Sequence, residues 1–230
     1  PDRASRVAMT VSTFYPDGDP ETNSVDGSVV NNQGAGGVSW ATLRDAASGT
    51  TANPSLAQVP VNMIAGNITD NFRIISRVFF LFLTSTLGDN DTIDAATLEF
   101  VVISGSRTDE WPSSAALVTA TPASNTDLVT GDYSQVGTVD QATDVTFASL
   151  TVDSATYNAM TLNATGRGNV SKTGITKFGL RETRDADNAP PTWVSLRAGE
   201  IEIATAEEVL AGDKRPKLVV THTSPPFVPT

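Results

Sequence analysis

Cysteine is absent from this 230-residue chain, and histidine occurs once, as His222. The first absence removes disulfides and thiolate metal sites. The second removes any multi-histidine centre and obliges a histidine-based hydrolase to be built around one residue. Positive charge is also scarce: 15 Lys and Arg against 26 Asp and Glu leave 15 − 26 = −11. A chain this acidic repels the nucleic-acid backbone, so DNA and RNA are not expected as partners. Uninterrupted Leu/Glu/Lys/Arg stretches of helical type are missing, while Thr, Ser, Val and Ala are plentiful, a balance that points to strands.

No membrane segment is expected. The uncharged run Val78–Gly88 has eleven residues, against the ~20 that a spanning helix needs. The opening "PDRASRVA" lacks the apolar stretch of a signal peptide. Met9 then opens "MTVSTFYPDGDPE" and reads as a natural start, so residues 1–8 are expected to be an upstream or added arm. A start at Met9 implies a protein made without a secretion signal.

What is present is a β pattern. "FRIISRVFFLFLTSTLG" is rich in β-branched and aromatic residues and ends in hydroxyls and glycine, which favours a strand over a helix. Val78, Phe79, Phe80, Leu81, Phe82 and Leu83 follow one another without a polar residue, so both faces of that strand should be covered. Next comes the turn signal "GDND" and then "TIDAATLEFVVIS", in which Leu98, Phe100 and Val102 share one face, Glu99 and Val101 the other. The two segments are expected to form an antiparallel pair.

Further strands are expected at Met9–Tyr15, Val38–Arg44, Ala57–Ala65, Ala115–Thr121, Asp144–Val152, Thr156–Asn163, Lys177–Glu182, Glu200–Thr205 and Pro216–Thr223. The glycine-rich segment Asn163–Gly174 can hold a helical turn. Many short strands separated by turn signals such as "NNQGAGG" and "RDADNAPP" predict an all-β fold: a single antiparallel β-sandwich of jelly-roll type, with at most one or two short helical turns. It spans residues 9–223, followed by a proline-rich tail, residues 224–230, which cannot pair as a central strand.

The strings "KFGLRETRDADNAPPTW", "EIEIATAEE" and "RPKLVVTHT" resemble the C-terminal half of the DNRLRE family of secreted β-sandwich modules. That family shows an "FgLr" strand, a Trp, an Ile/Phe-rich strand ending in Ala-x-x-Glu, and "rPkLvVty". Phe178, Gly179, Leu180, Arg181, Trp193, Ile201, Ile203, Glu207, Pro216, Leu218 and Val220 stand in those places. Upstream, "RVFFLFLTSTLGDNDTIDAATLEFVV" is similar to the family's "R-x-F-L-x-F-D-x-S-x-L" segment. It departs from it at Leu83, where the family carries Asp, so Arg77 has to find another partner. The front of the chain, "TFYPDGDPETNSVDGSV" and "SWATLRDAASGT", looks like the beginning of structural proteins of tailed phages and environmental viral contigs. The resemblance implies a surface-exposed, non-catalytic module and names no ligand, although some relatives bind polysaccharide.

Candidate site residues follow from chemistry. Asp17, Asp19, Glu21 and Asp26 form an acidic cluster, and Ca²⁺ takes six to eight oxygens of this kind; the competing reading is solvated turn residues, since no EF-hand spacing is present. Trp111 and Tyr133 lie in polar, turn-like surroundings, where a ring can stack on a sugar or simply cap the end of the sandwich. Trp193 and Trp40 lie nearer strands and are expected in the core, with Val78, Phe79, Phe80, Leu81, Phe82, Leu98, Phe100, Phe178, Leu180, Leu218 and Val220. His222 alternates with Leu218 and Val220 and is expected to pack or hydrogen-bond structurally. No "GxSxG" elbow supports a triad, so no enzymatic activity is expected.

The function expected from these observations is a structural, surface-display module on a virion or extracellular surface. It would be built through its termini into a homo-oligomer or against other virion or surface proteins. A carbohydrate-binding module facing cell-surface polysaccharide is the first alternative, a subunit of a non-viral extracellular filament the second. No cofactor is expected beyond one possible structural Ca²⁺.

Overall fold

Val78, Phe79, Phe80, Leu81 and Phe82 have no solvent-exposed surface. Only Leu83, at the end of the run, reaches water, at 37% exposure. Five consecutive buried side chains need cover on two faces of a strand, and a computed structural model, which describes residues 9–209 and 212–225, supplies it. The elements run in the order β1 (Met9–Phe14), β2 (Asp26–Asn32), β3 (Val38–Ser39), α1 (Trp40–Arg44), β4 (Thr51–Asn53), β5 (Gln58–Ala65) and β6 (Asn71–Leu83). They continue with β7 (Thr92–Val101), β8 (Thr108–Asp109), β9 (Ser114–Thr119), β10 (Val145–Thr146), β11 (Tyr157–Thr161) and α2 (Ala164–Gly168). The chain closes with β12 (Ile175–Glu182), α3 (Thr183–Asp187), β13 (Ala198–Ala204) and β14 (Lys217–Thr223).

Two antiparallel sheets result. The smaller has the order β1-β14-β7-β11; the larger runs β10-β9-β12-β6-β5-β13-β8, with β2 and β3 also on β6 and β4 on β2. β6 is the hub. It pairs with β12 from Val78 to Leu83, with β5 from Phe72 to Ser76, and with β2 from Ile74 to Phe80. Both sides of its backbone therefore hold ladder bonds at Val78, which faces Leu180 and Ser28.

Side chains alternate about this hub. Val78, Phe80 and Phe82 join Leu98, Phe100, Phe178, Leu180, Leu218 and Val220 in the core between the sheets. Phe79 and Leu81 point the other way, into a second cluster with Trp40, Leu43, Met63, Trp111 and Tyr133. Burying one such phenylalanine contributes about 1.5–3 kcal/mol. The fold is thus an all-β sandwich, with an additional apolar layer on the outside of its larger sheet.

Several local expectations are corrected. β6 and β7 do not pair with each other: β7 belongs to the smaller sheet, so the "GDND" turn carries the chain across the sandwich rather than around a hairpin. Their apolar faces meet through the core instead, Phe80 and Phe100 lying in one cluster. The expected strand Val38–Arg44 is a strand only at Val38–Ser39 and then becomes α1. Ser39 caps that helix, accepting the Thr42 N–H at 3.3 Å, and Ala41, Leu43 and Arg44 are good helix formers. Asp144–Val152 keeps only the short β10, followed by a 3₁₀ turn at Phe147–Ser149. Helix is more frequent than the expected one or two turns: α1, α2 and α3 are each five residues long. α2 falls inside the glycine-rich segment Asn163–Gly174, as expected there. The arm at residues 1–8, the last five residues of the tail and docking through them lie outside the described residues.

Candidate functional site

A guanidinium in the middle of a buried strand must be paired, because an isolated charge there is prohibitively costly. Arg77, on β6, finds Asp185, in α3. Its Nε donates to Oδ2 at 2.9 Å and its Nη2 to Oδ1 at 2.7 Å. Arg181, four residues before Asp185 at the end of β12, donates to the same two oxygens at 2.7 and 2.8 Å. The remaining donors go to main-chain carbonyls: Arg77 to Tyr133 and Arg44, Arg181 to Val136, Gly137 and Asp185 itself. Arg44, from α1, closes the group through the carbonyls of Asp185 and Ala186. Burial alone would raise the Asp185 carboxyl, but the Arg77 and Arg181 guanidiniums outweigh it and hold the group at about 2. The aspartate stays ionised and has no proton to give. Arg44, Arg77 and Arg181 line a cleft of about 240 Å³, but with these donors engaged the arrangement is a staple between β6, β12, α1 and α3. It also gives Arg77 its buried partner.

Both rings proposed for sugar contact are inside the protein. Trp111 is 5% exposed and Tyr133 fully buried. Tyr133 sits in a 3₁₀ turn, Thr130–Ser134, that folds back onto β2. Its hydroxyl donates to the Leu43 carbonyl at 3.0 Å, and the Arg77 guanidinium carbon lies 3.9 Å from its ring centre. Trp111 packs with Phe72 at 6.4 Å between ring centres. Polar sequence neighbours were misleading here, because both rings reach back into the outer apolar layer. Trp40 is buried and donates its indole N–H to Asn188 at 2.9 Å. Trp193 is half-buried: it leans against the second cluster rather than filling it.

The acidic residues divide into two roles. Oδ2 of Asp17 accepts the main-chain N–H groups of Thr22, Asn23 and Ser24 and the Thr22 hydroxyl, so it organises its own loop. Asp26 is fully buried and accepts the Ala206 N–H at 3.0 Å. Glu207, far along the chain, joins it, and burial followed by the charge of Glu207 raises the Asp26 carboxyl well above its ordinary range. Burial pushes the Glu21 and Glu207 carboxyls up as well. One oxygen of Glu21, both of Glu207 and the buried Ser24 hydroxyl have no hydrogen-bond partner. Asp19 is exposed. A hard cation would meet oxygens of the right kind here, yet among the described residues no group of three or more Asp, Glu, His or Cys side chains is placed to hold a metal ion. The sequence signal for Glu207 was only its place in "EIEIATAEE".

His222 is buried at the end of β14. Its Nδ1 lies 2.6 Å from Asp91 Oδ2, and its Nε2 lies 3.0 Å from Ser12 Oγ.

The outer face of the smaller sheet is chemically plain. Register places Val11, Thr221 and Ala95 in one row and Thr13, Val219, Thr97 and Thr161 in the next. Met9 and Val11 are 69% and 63% exposed. These two rows contain no charged residue, though the exposed Asp94 stands beside Ala95, unpaired in a bulge; on the other side the next row holds Lys217 and Glu99, paired at 3.0 Å. No protein-family model matches the chain, and no curated protein matches it.

Proposed function

We propose that the chain is a structural display module of a virion or extracellular surface, built from repeated copies that dock on the outer face of the four-stranded sheet. The observation that carries this reading is the uncharged patch of Met9, Val11, Thr13, Val219, Thr221, Ala95 and Thr97, on a chain whose net charge is −11. Strong like charge keeps copies apart, so a flat neutral face is where they meet with least repulsion. Aligned sheet faces bury such side chains against one another. The two-sided burial of β6 and the Arg77–Asp185–Arg181 staple suit a rigid building block. The resemblance to DNRLRE modules and phage structural proteins agrees with this role. With Trp111 and Tyr133 buried, the sugar-binding alternative loses both of the rings on which it rested.

Light scattering after size exclusion, together with electron microscopy of concentrated protein, tests the reading. The wild-type chain is expected to self-associate. Val11→Lys and Val219→Lys, which place charge on an outward face, are expected to return it to monomer with an unchanged melting temperature. A wild-type chain that stays monomeric at every concentration would overturn the proposal.

A further inference from the structure

Ser12, His222 and Asp91 come from three parts of the chain: the edge strand β1, the last strand β14, and the connection between β6 and β7. Thr10 faces His222 across the ladder, so Ser12 lies one diagonal step away. The phrase "KLVVTHT" shows the histidine, but nothing local shows the other two.

The hydrogen bonds have a direction. Hydrogen bonds from the Ser224 hydroxyl, the Gly88 N–H and His222 hold the Asp91 carboxyl below its ordinary range, so it is ionised and can only accept. An Nδ1 that faces this carboxylate at 2.6 Å carries a proton, which in the neutral imidazole leaves Nε2 as the acceptor. In that tautomer the Ser12 hydroxyl, 3.0 Å from Nε2, is placed to donate to it. This is the order of contacts by which a serine is made nucleophilic: hydroxyl to Nε2, Nδ1 to carboxylate. Such a constellation is recognised by geometry, whatever its order in the sequence.

We infer that Ser12 is a reactive nucleophile of an acyl-transfer site whose substrates are small carboxylic esters. Ser12 Oγ attacks the ester carbonyl carbon while its proton passes to His222 Nε2. Collapse of the tetrahedral adduct breaks the bond to the alkoxide, which takes that proton and leaves as the alcohol. Water then attacks the acyl–Ser12 ester by the same route and releases the acid, restoring Ser12; nothing is oxidised or reduced. Asp91 is a positioning residue that fixes the imidazole tautomer. β1 is an edge strand, so alternate main-chain N–H groups on its free side face outward, where a developing oxyanion can meet them. Ser12 lies on the opposite side of β1 from Val11, so the inference is independent of docking on the outer face.

The test is labelling of the full chain with a fluorophosphonate, whose fluoride is displaced by an activated serine, followed by peptide mapping. One adduct at Ser12 is expected, lost in Ser12→Ala. His222→Gln, checked for folding by circular dichroism, is expected to slow labelling at least ~100-fold, the lower end of what a general base contributes. Folded wild-type protein that gains no adduct at Ser12 overturns the inference. So does labelling that proceeds equally fast in folded His222→Gln.

Discussion

The carboxylate of Asp185 receives two hydrogen bonds from Arg77, at 2.9 and 2.7 Å, although 108 residues separate them along the chain. The aspartate is completely buried and the arginine 3% exposed. A charge pair of this kind adds little over apolar residues of the same shape, but breaking it leaves a bare buried charge. Asp185→Asn is therefore expected to lower the unfolding free energy by about 3–5 kcal/mol, measured by denaturant titration. A loss below about 1 kcal/mol, the scale of an exposed pair, would show that water reaches the staple.

The same pair sets an acid limit. The folded-state carboxyl of Asp185 titrates at about 2, below the unfolded value of about 3.9. A depressed folded value means stability that is present above the unfolded value and lost as pH falls towards the folded one. Melting temperature should drop between about pH 4 and pH 2, and the drop should be smaller in Asp185→Asn, where Asp17, Asp91 and Asp213, also lowered in the fold, still contribute. An identical acid profile in the variant would assign the loss to other groups.

Asp26, Glu21 and Glu207 work in the opposite direction. Their carboxyls are raised in the fold first by burial; Glu207 and Glu21 add to the rise at Asp26, Glu21 to that at Glu207, and Asp19 to that at Glu21. Their stabilising contribution is complete below the unfolded values and is lost as pH rises through the folded ones. Glu207→Gln removes one charge from this group, so at neutral pH it should melt above the wild type, by about 2–4 °C for each kcal/mol gained. Near pH 4 the two proteins should converge. A variant that is weaker than wild type at both pH values would mean that the ionised Glu207 is needed.

Gly27 shows where backbone shape is constrained. Its φ is +142°, and a Cβ there would stand 2.3 Å from the Asn53 carbonyl oxygen. Gly34 also has a positive φ, +70°, but nothing lies within 4 Å of its missing side chain. Gly34→Ala is expected to cost about 1–2 kcal/mol, the left-handed backbone penalty alone. Gly27→Ala should cost clearly more, because β2 and β4 must also be pushed apart. Equal losses would mean that the β2–β4 ladder yields freely.

These contrasts show what was legible in the sequence. Val78–Phe82 announced a strand covered on both sides, because only such a strand hides five neighbouring apolar side chains. Phe178, Leu180, Leu218 and Val220 announced their inward faces by alternation with period two. The partner of Arg77 was not legible: Asp185 lies in "RETRDAD", which reads as a solvated turn, and nothing in the sequence named it as the residue that pairs with the arginine. The path after Leu83 was hidden as well, since a polar turn looks the same whether the next strand stays in its sheet or crosses the core. Trp111 and Tyr133 misled for a related reason: exposure depends on how a loop folds back, which residue type and neighbours do not encode. Ser12 and Asp91 carried no signal, because an edge strand, the last strand and the connection between β6 and β7 meet there only in three dimensions.

The two-layer burial of β6 can itself be measured as a pattern of coupling. Phe80 lies opposite Phe178 on β12, and both belong to the core between the sheets. Phe79, its immediate neighbour in sequence, belongs to the outer layer. Each Phe→Leu change removes packing at a fully buried site and should cost about 1 kcal/mol. Residues that share a contact couple by about 0.5–3 kcal/mol, whereas independent sites add to within about 0.5 kcal/mol. A double-mutant cycle on Phe80→Leu and Phe178→Leu should therefore show coupling, and a cycle on Phe79→Leu and Phe80→Leu should be nearly additive despite the shared peptide bond. The reverse result, strong coupling between neighbours and none across the ladder, would place Phe79 and Phe80 on one face and dismantle the sandwich built around them.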